Sequence, residues 1–215
     1  MGKFIESHKN FWKNKQFIVS FLLGMAFLVA SLIVNYYAGI YATKEASNYV
    51  TDILLDNLPV YNMSLVFIQG SSLFFLFIVV VLFLKPKRLP FVIKASALFV
   101  IIRSIFVIMT HIGPFPGQIP FTYSRLLEKI TFGGDLFFSG HTGLPFLMAL
   151  IFWQNKKLRY TFLIISAVFA VSVILGHLHY SIDVFAAFFI TYTIFVISRK
   201  YFKRDYSLLL EEDSR

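Results

Sequence analysis

The stretch Tyr160–Ser198 reads YTFLIISAVFAVSVILGHLHYSIDVFAAFFITYTIFVIS, 39 residues with Asp183 as the only formal charge. A bilayer core about 30 Å thick is crossed by about 20 helical residues. The run is too long for one span and fits two spans folded back on each other. Its midpoint is residue 179. This places Gly176-His177-Leu178-His179 at the turn and Asp183 one turn into the second helix of the pair.

Working outward, Gln16–Thr43 and Asn57–Leu84 carry no charge at all. Leu89–Ile112 is apolar but contains Lys94 and Arg103, and Leu136–Asn155 is interrupted only by His141. The total is six transmembrane helices in an all-α membrane protein. Composition agrees: 58% of the 215 residues are hydrophobic and 14% charged, against about 45–50% and about 25% in soluble domains. The mean hydropathy is +0.73. So apolar a chain is not disordered. The absence of Cys excludes a disulfide scaffold, a cysteine metal centre and a thiol nucleophile.

The 20 Lys and Arg orient the bundle. Lys3, Lys9, Lys13 and Lys15 precede the first span. Lys85, Lys87 and Arg88 separate the second from the third. Lys156, Lys157 and Arg159 separate the fourth from the fifth, and Arg199, Lys200, Lys203, Arg204 and Arg215 follow the sixth. The opposite loops hold only Lys44, Arg125 and Lys129. This alternation places both termini in the cytoplasm. It also explains the net charge of +9 without nucleic acid as a partner. Residues 1–16 form a basic interfacial arm with Phe4, Ile5, Phe11 and Trp12 interleaved. Residues 17–200 form the six-helix domain, and 201–215 a polar cytoplasmic tail. Lys94, nearer the cytoplasm, is expected to snorkel.

Residues capable of chemistry gather on the non-cytoplasmic face. Asp52 and Asp56 lie in the first outer loop. Asp135, Ser139 and His141 lie at the outer start of the fourth span. His179 and Asp183, spaced i, i+4, are expected on one helix face. A carboxylate there accepts a proton from one imidazole nitrogen, fixes the tautomer and leaves the other nitrogen as a lone-pair donor. A structural His–Asp bond tying two helices satisfies the same charge. Ser139 is a candidate N-cap, and a helix start is an anion site. Arg103 lies two turns inside the third span, where it needs a partner: a phosphate at the outer face, or one of Asp52, Asp56 and Asp183.

These residues resemble the type 2 phosphatidic acid phosphatase superfamily, and more closely its sphingomyelin synthase branch. The branch's central motif, Cys-Gly-Asp-x-x-Phe-Ser-Gly-His-Thr, is similar to Gly133-Gly-Asp-Leu-Phe-Phe-Ser-Gly-His-Thr142. Its last motif, His-Tyr-Thr-x-Asp-Val-x-x-Ala, is similar to His179-Tyr-Ser-Ile-Asp-Val-Phe-Ala-Ala187. Two Asp spaced by four resemble Asp52 and Asp56. The third-span Arg motif resembles Arg103 through Thr110, with Pro114-Phe-Pro-Gly117 following. The chain departs from the pattern at Gly133, where animal synthases have Cys. It also departs from the phosphatase branch at Val173, where that branch has Arg after Ser172, and it has no Lys-x6-Arg-Pro motif. Both of the latter absences favour the synthase branch.

The resemblance implies six helices, no cofactor, no metal, and transfer through a phosphohistidine. His179, oriented by Asp183, would attack phosphorus, and His141 would act as acid and then base. Ser139 and Arg103 would stabilise phosphoryl charge and Asp135 would tune His141. Asp52 and Asp56 would attract a head-group cation. The expected partners are a phospholipid donor and a ceramide or diacylglycerol acceptor in the membrane; a homo-oligomer is left open. Water as acceptor gives the rival reading, a lipid phosphate phosphatase or phospholipase C-like enzyme. A lipid or ion transporter is disfavoured, because the spans show no inverted repeat and the polar residues sit at one face.

Overall fold

The computed structural model describes residues 11–118 and 136–213. The described residues are helical and contain no strand. Helix α1 is Lys15–Lys44, α2 Ser64–Leu84, α3 Leu89–Met109, α4 Gly140–Ile151, α5 Lys156–Leu175, α6 Ser181–Tyr201 and α7 Lys203–Asp213; a 3-10 turn at Pro86–Arg88 leads into α3. Five of them, α1, α2, α3 (with its 3-10 turn), α5 and α6, are long and apolar enough to cross a membrane. The protein is therefore an integral, multi-pass membrane protein. The element expected as a fourth full span is the short apolar helix α4, of 12 residues, which rises only about 18 Å. The second apolar run begins its helix at Ser64 rather than Asn57, since Pro59 interrupts its first residues. Residues 1–10 of the basic arm, with Lys3 and Lys9, lie outside the described residues, as do Arg125, Lys129 and Asp135.

Helix starts follow local capping chemistry. The Asn14 side chain accepts the N–H groups of Gln16 and Phe17 at 2.9 and 3.3 Å. Asn155 accepts from Leu158 N–H at 3.1 Å. Ser139 accepts from Thr142 N–H at 3.3 Å. Each satisfies donors that a helix's first turn leaves without a carbonyl.

Helix α4 is the centre of the bundle. It packs against α5 and α6 and touches α3, while α1 lies along α3. Eight of its 12 residues are buried. The core around it includes Phe91, Phe99, Phe138, Leu147, Phe152, Phe162 and Ile194. Gly143 is a close-approach position: a Cβ there would lie 2.8 Å from both the Phe99 ring and Thr191 Oγ1. By contrast Leu65, Leu73 and Phe189 expose 65–76% of their surface, as lipid-facing residues do.

Two cations are built into the core. Arg88 is completely buried, stacked over Phe152 at 4.7 Å, and donates to the Ile151 carbonyl at 3.4 Å. It therefore places positive charge at the C-terminal end of α4, where the helix dipole favours it. Lys94 does not snorkel. Its ammonium meets Asp205 at 2.6 Å and Ser20 Oγ at 2.7 Å. Asp205 is carried by α7, which lies in the polar C-terminal segment. Leu209 and Tyr206 anchor α7; Leu209 is buried and Tyr206 packs 5.1 Å from the Phe91 ring.

Candidate active site

The site forms where three polypeptide segments are stitched together at one end of the bundle. Ser47 N–H donates to the His111 carbonyl at 2.7 Å and Gly113 N–H to the Asn48 carbonyl at 3.2 Å. The Tyr180 hydroxyl donates to the Gly113 carbonyl at 2.8 Å and accepts from Val50 N–H at 3.3 Å. These bonds join the loop after α1, the end of α3 and the α5–α6 turn. Gly113 is required for this approach: a Cβ there would fall 2.2 Å from the Ser47 carbonyl oxygen, well inside contact distance.

The starts of α4 and α6 are tied directly. Ser139, the N-cap of α4, gives its own N–H to the Asp183 carbonyl at 3.1 Å. Asp183 is the third residue of α6, and one of its carboxylate oxygens accepts the Tyr180 N–H at 3.0 Å. Its negative charge sits in the first turn, where the helix dipole stabilises it. His179 lies ahead of the helix, before the N-cap Tyr180, so its closeness to Asp183 comes from the capping turn and not from a shared helix face.

His179 is 7% exposed and Asp183 is 1% exposed. The Nδ1 atom of His179 is 2.7 Å from the Leu136 carbonyl and 3.5 Å from Asp183 Oδ2. A carbonyl and a carboxylate only accept, so Nδ1 carries a proton, and in the neutral ring it is Nε2 that keeps the lone pair. The group expected to fix this tautomer was Asp183; the nearer acceptor is a peptide oxygen of the segment leading into α4. Asp183 supplies the adjacent charge.

His141 is the second residue of α4. Its ring packs 4.1 Å from Phe67 and 5.9 Å from Phe169, centroid to centroid, within electrostatic range of His179 and Arg103. Arg103 Nε donates to the Phe138 carbonyl at 3.1 Å, and the guanidinium lies against Gly140, whose absent side chain leaves it room. The Ser139 cap uses the N–H of Thr142 through its side chain and of Gly143 through its carbonyl. Among the described residues, the N–H groups of Gly140 and His141 are the first-turn donors that neither the cap nor a helix carbonyl uses, and such donors suit an anion. Pro145 has no N–H for the His141 carbonyl four residues back, so the rung behind this histidine is missing.

The first outer loop is tied to the start of α6. Asp52 is 7% exposed. Its Oδ2 accepts the Ser181 N–H, the first of α6, at 2.7 Å; its Oδ1 accepts Leu54 and Leu55 N–H at 2.9 and 3.2 Å. Burial alone would raise its pKa, but the hydrogen bonds led by Ser181 outweigh burial and hold it below the ordinary 3.8. Asp56 is exposed and accepts the Asp52 N–H at 2.8 Å. In the folded chain Asp52 caps α6 one residue after the N-cap Tyr180, and Asp56 steadies Asp52.

One residue outside the expected set belongs to this neighbourhood. His177 is 3% exposed, has φ +53°, and neither ring nitrogen has a hydrogen-bond partner among the described residues. Phe115 packs edge-on against it at 5.2 Å. The turn's G-H-x-H spelling was the available signal, but spacing to Asp183 favoured only the second histidine.

Residues 133–200 match the family described as PAP2 superfamily C-terminal. The matched segment contains α4, α5 and nearly all of α6, with Ser139, His141, His179 and Asp183. The PAP2 match is a similarity over this part of the chain, and it points to lipid-phosphate chemistry of the phosphatase or phosphotransferase type. No curated protein and no solved structure matches the chain.

Proposed function

We propose that the protein transfers a phospholipid head group to a second lipid through a phosphohistidine on His179. The observation that carries this reading is the Nδ1–H of His179 held by the Leu136 carbonyl, which leaves Nε2 as the nucleophile, with the start of α4 that bears His141 tied to Asp183 through the Ser139 N–H. In the first step Nε2 bonds to phosphorus and the bond from phosphorus to the glycerol oxygen breaks. His141 gives its proton to that oxygen, releasing diacylglycerol. In the second step His141 takes the proton of an acceptor hydroxyl, the new oxygen–phosphorus bond forms, and the bond to Nε2 breaks.

The anionic phosphodiester, between Arg103 and the α4 N-terminus, favours the proton on His141 while the donor is bound. Arg103 and the N–H groups of Gly140 and His141 stabilise the phosphoryl oxygens as charge develops. Asp183 stabilises the imidazolium-like phosphohistidine. Asp135 lies beside this machinery in sequence and is assigned to tuning His141. Ceramide or diacylglycerol is the acceptor class in this reading.

Transfer is favoured over hydrolysis by Val173. At this position the phosphatase branch carries Arg; here a completely buried Val packs with Ala170 and Val184. In the membrane, α1–α6 are proposed as six spans with both termini cytoplasmic, α4 contributing the short one, and the histidines on the non-cytoplasmic face.

The test is purified protein with phosphatidylcholine or phosphatidylethanolamine labelled in the head group, with and without ceramide or diacylglycerol. Labelled product should need the acceptor and vanish in His179→Ala. Head-group release at full rate without acceptor would establish hydrolysis instead. Full transfer by His179→Ala would remove the phosphohistidine.

A further inference from the structure

At the end of α6 remote from His179, about 30 Å away along 21 residues, a cavity lies between the start of α1 and the α6–α7 junction. Its volume is about 430 Å³. Lys15, Lys94 and Arg204 line it together with Asp205, and Val19, Leu23 and Phe202 supply apolar wall. The carboxylate of Asp205 is already committed: Lys94 takes one oxygen and Ser20 Oγ donates to the other, both at 2.6 Å. The Lys94–Asp205 pair is nearly buried, its side chains 13% and 6% exposed. Two further cations, Lys15 and Arg204, therefore face the cavity uncompensated by it. Arg204 is held toward α1 by a hydrogen bond to the Gln16 side chain.

We infer that this cavity binds the head group of an anionic phospholipid. Net charge selects the ligand. A phosphodiester without a cationic head matches two cations, whereas the ammonium of a zwitterionic lipid is repelled by them. The apolar wall selects a lipid over a soluble anion. Val19 and Leu23 are 47% and 61% exposed on the outer side of α1, beside the cations, and an acyl chain covers what free phosphate leaves wet. The bound lipid bridges α1 and α7, so it stabilises the folded chain by mass action.

The experiment uses the purified full chain in zwitterionic detergent and reads thermal unfolding and native mass spectra. Phosphatidylglycerol should raise Tm and remain bound, with an effect that shrinks at high salt. Phosphatidylcholine and inorganic phosphate at equal ionic strength should do neither. Each cation near an anionic lipid contributes about fivefold in affinity, so Lys15→Ala/Arg204→Ala should bind phosphatidylglycerol roughly 25-fold more weakly. Lys156→Ala/Lys157→Ala removes the same charge elsewhere and should bind as the parent does. No preference for phosphatidylglycerol in the parent chain would overturn the proposal, whatever the variants do. Equal losses in the two double variants would reduce the effect to bulk charge, and an equal shift from inorganic phosphate would exclude a lipid. Head-group transfer is not read, so its presence or absence leaves this result standing.

Discussion

At the scale of single residues, the division of labour around His179 makes a sharp prediction. The Leu136 carbonyl holds Nδ1–H at 2.7 Å, and Asp183 stands 3.5 Å away. Where a carboxylate alone sets the tautomer, changing it to the amide costs about 10⁴ in rate. Here Asp183→Asn keeps the carbonyl acceptor and loses only charge. Its transfer rate should fall by about 10²-fold, and His179→Ala should have none; the labelled-lipid assay above measures both. A loss in Asp183→Asn equal to that of His179→Ala would return the tautomer to Asp183. His177 makes a second case. Its buried ring satisfies no hydrogen bond, an arrangement that costs stability, so His177→Phe should match or exceed the parent's Tm in thermal unfolding if the ring's role is only packing. A lower kcat at unchanged or higher Tm would show that the imidazole serves the reaction.

At the scale of elements, α6 depends on a residue nearly 130 positions away. Asp52 accepts its first N–H, and losing such a cap costs about 1 kcal/mol. Asp52→Ala should therefore lower Tm and also loosen the turn carrying His179. The pH dependence has a definite sign. Hydrogen bonding holds the folded pKa of Asp52 below the ordinary 3.8, so its stabilisation is fully present above that value. It is lost as pH falls through the lower, folded pKa. The parent and Asp52→Asn should differ less in Tm once the pH drops below this window than at neutral pH. Gly143 gives a packing test for α4. A methyl group there meets Phe99 and Thr191 at 2.8 Å, so Gly143→Ala should destabilise by about 1–3 kcal/mol, read by denaturant or thermal unfolding in detergent.

At the scale of the whole molecule, topology is testable because the chain has no Cys of its own. Asn57→Cys and Lys157→Cys, both at exposed positions, should react with an impermeant thiol reagent from opposite sides of an intact membrane. Reaction from the same side would contradict the proposed arrangement. Apolar runs delimited α1, α3, α5 and α6 to within a few residues, since the need for an unbroken hydrophobic length is written locally. The closeness of His179 to Asp183 was also legible, because turn position carries it. The packing of Arg88, Lys94 and Asp52 was not legible, for a common reason. Each has its decisive partner at least 60 residues away, and two of those partners are peptide groups, which leave no mark in the residue alphabet. The same fact governs how this protein will answer a systematic mutational survey. The atom that sets the His179 tautomer belongs to the main chain, so no side-chain truncation deletes it. Under the proposed mechanism a survey finds the histidines and misses their keeper, and replacing the Leu136–Phe137 amide by an ester, which weakens that carbonyl as an acceptor, is the chemical edit that exposes it.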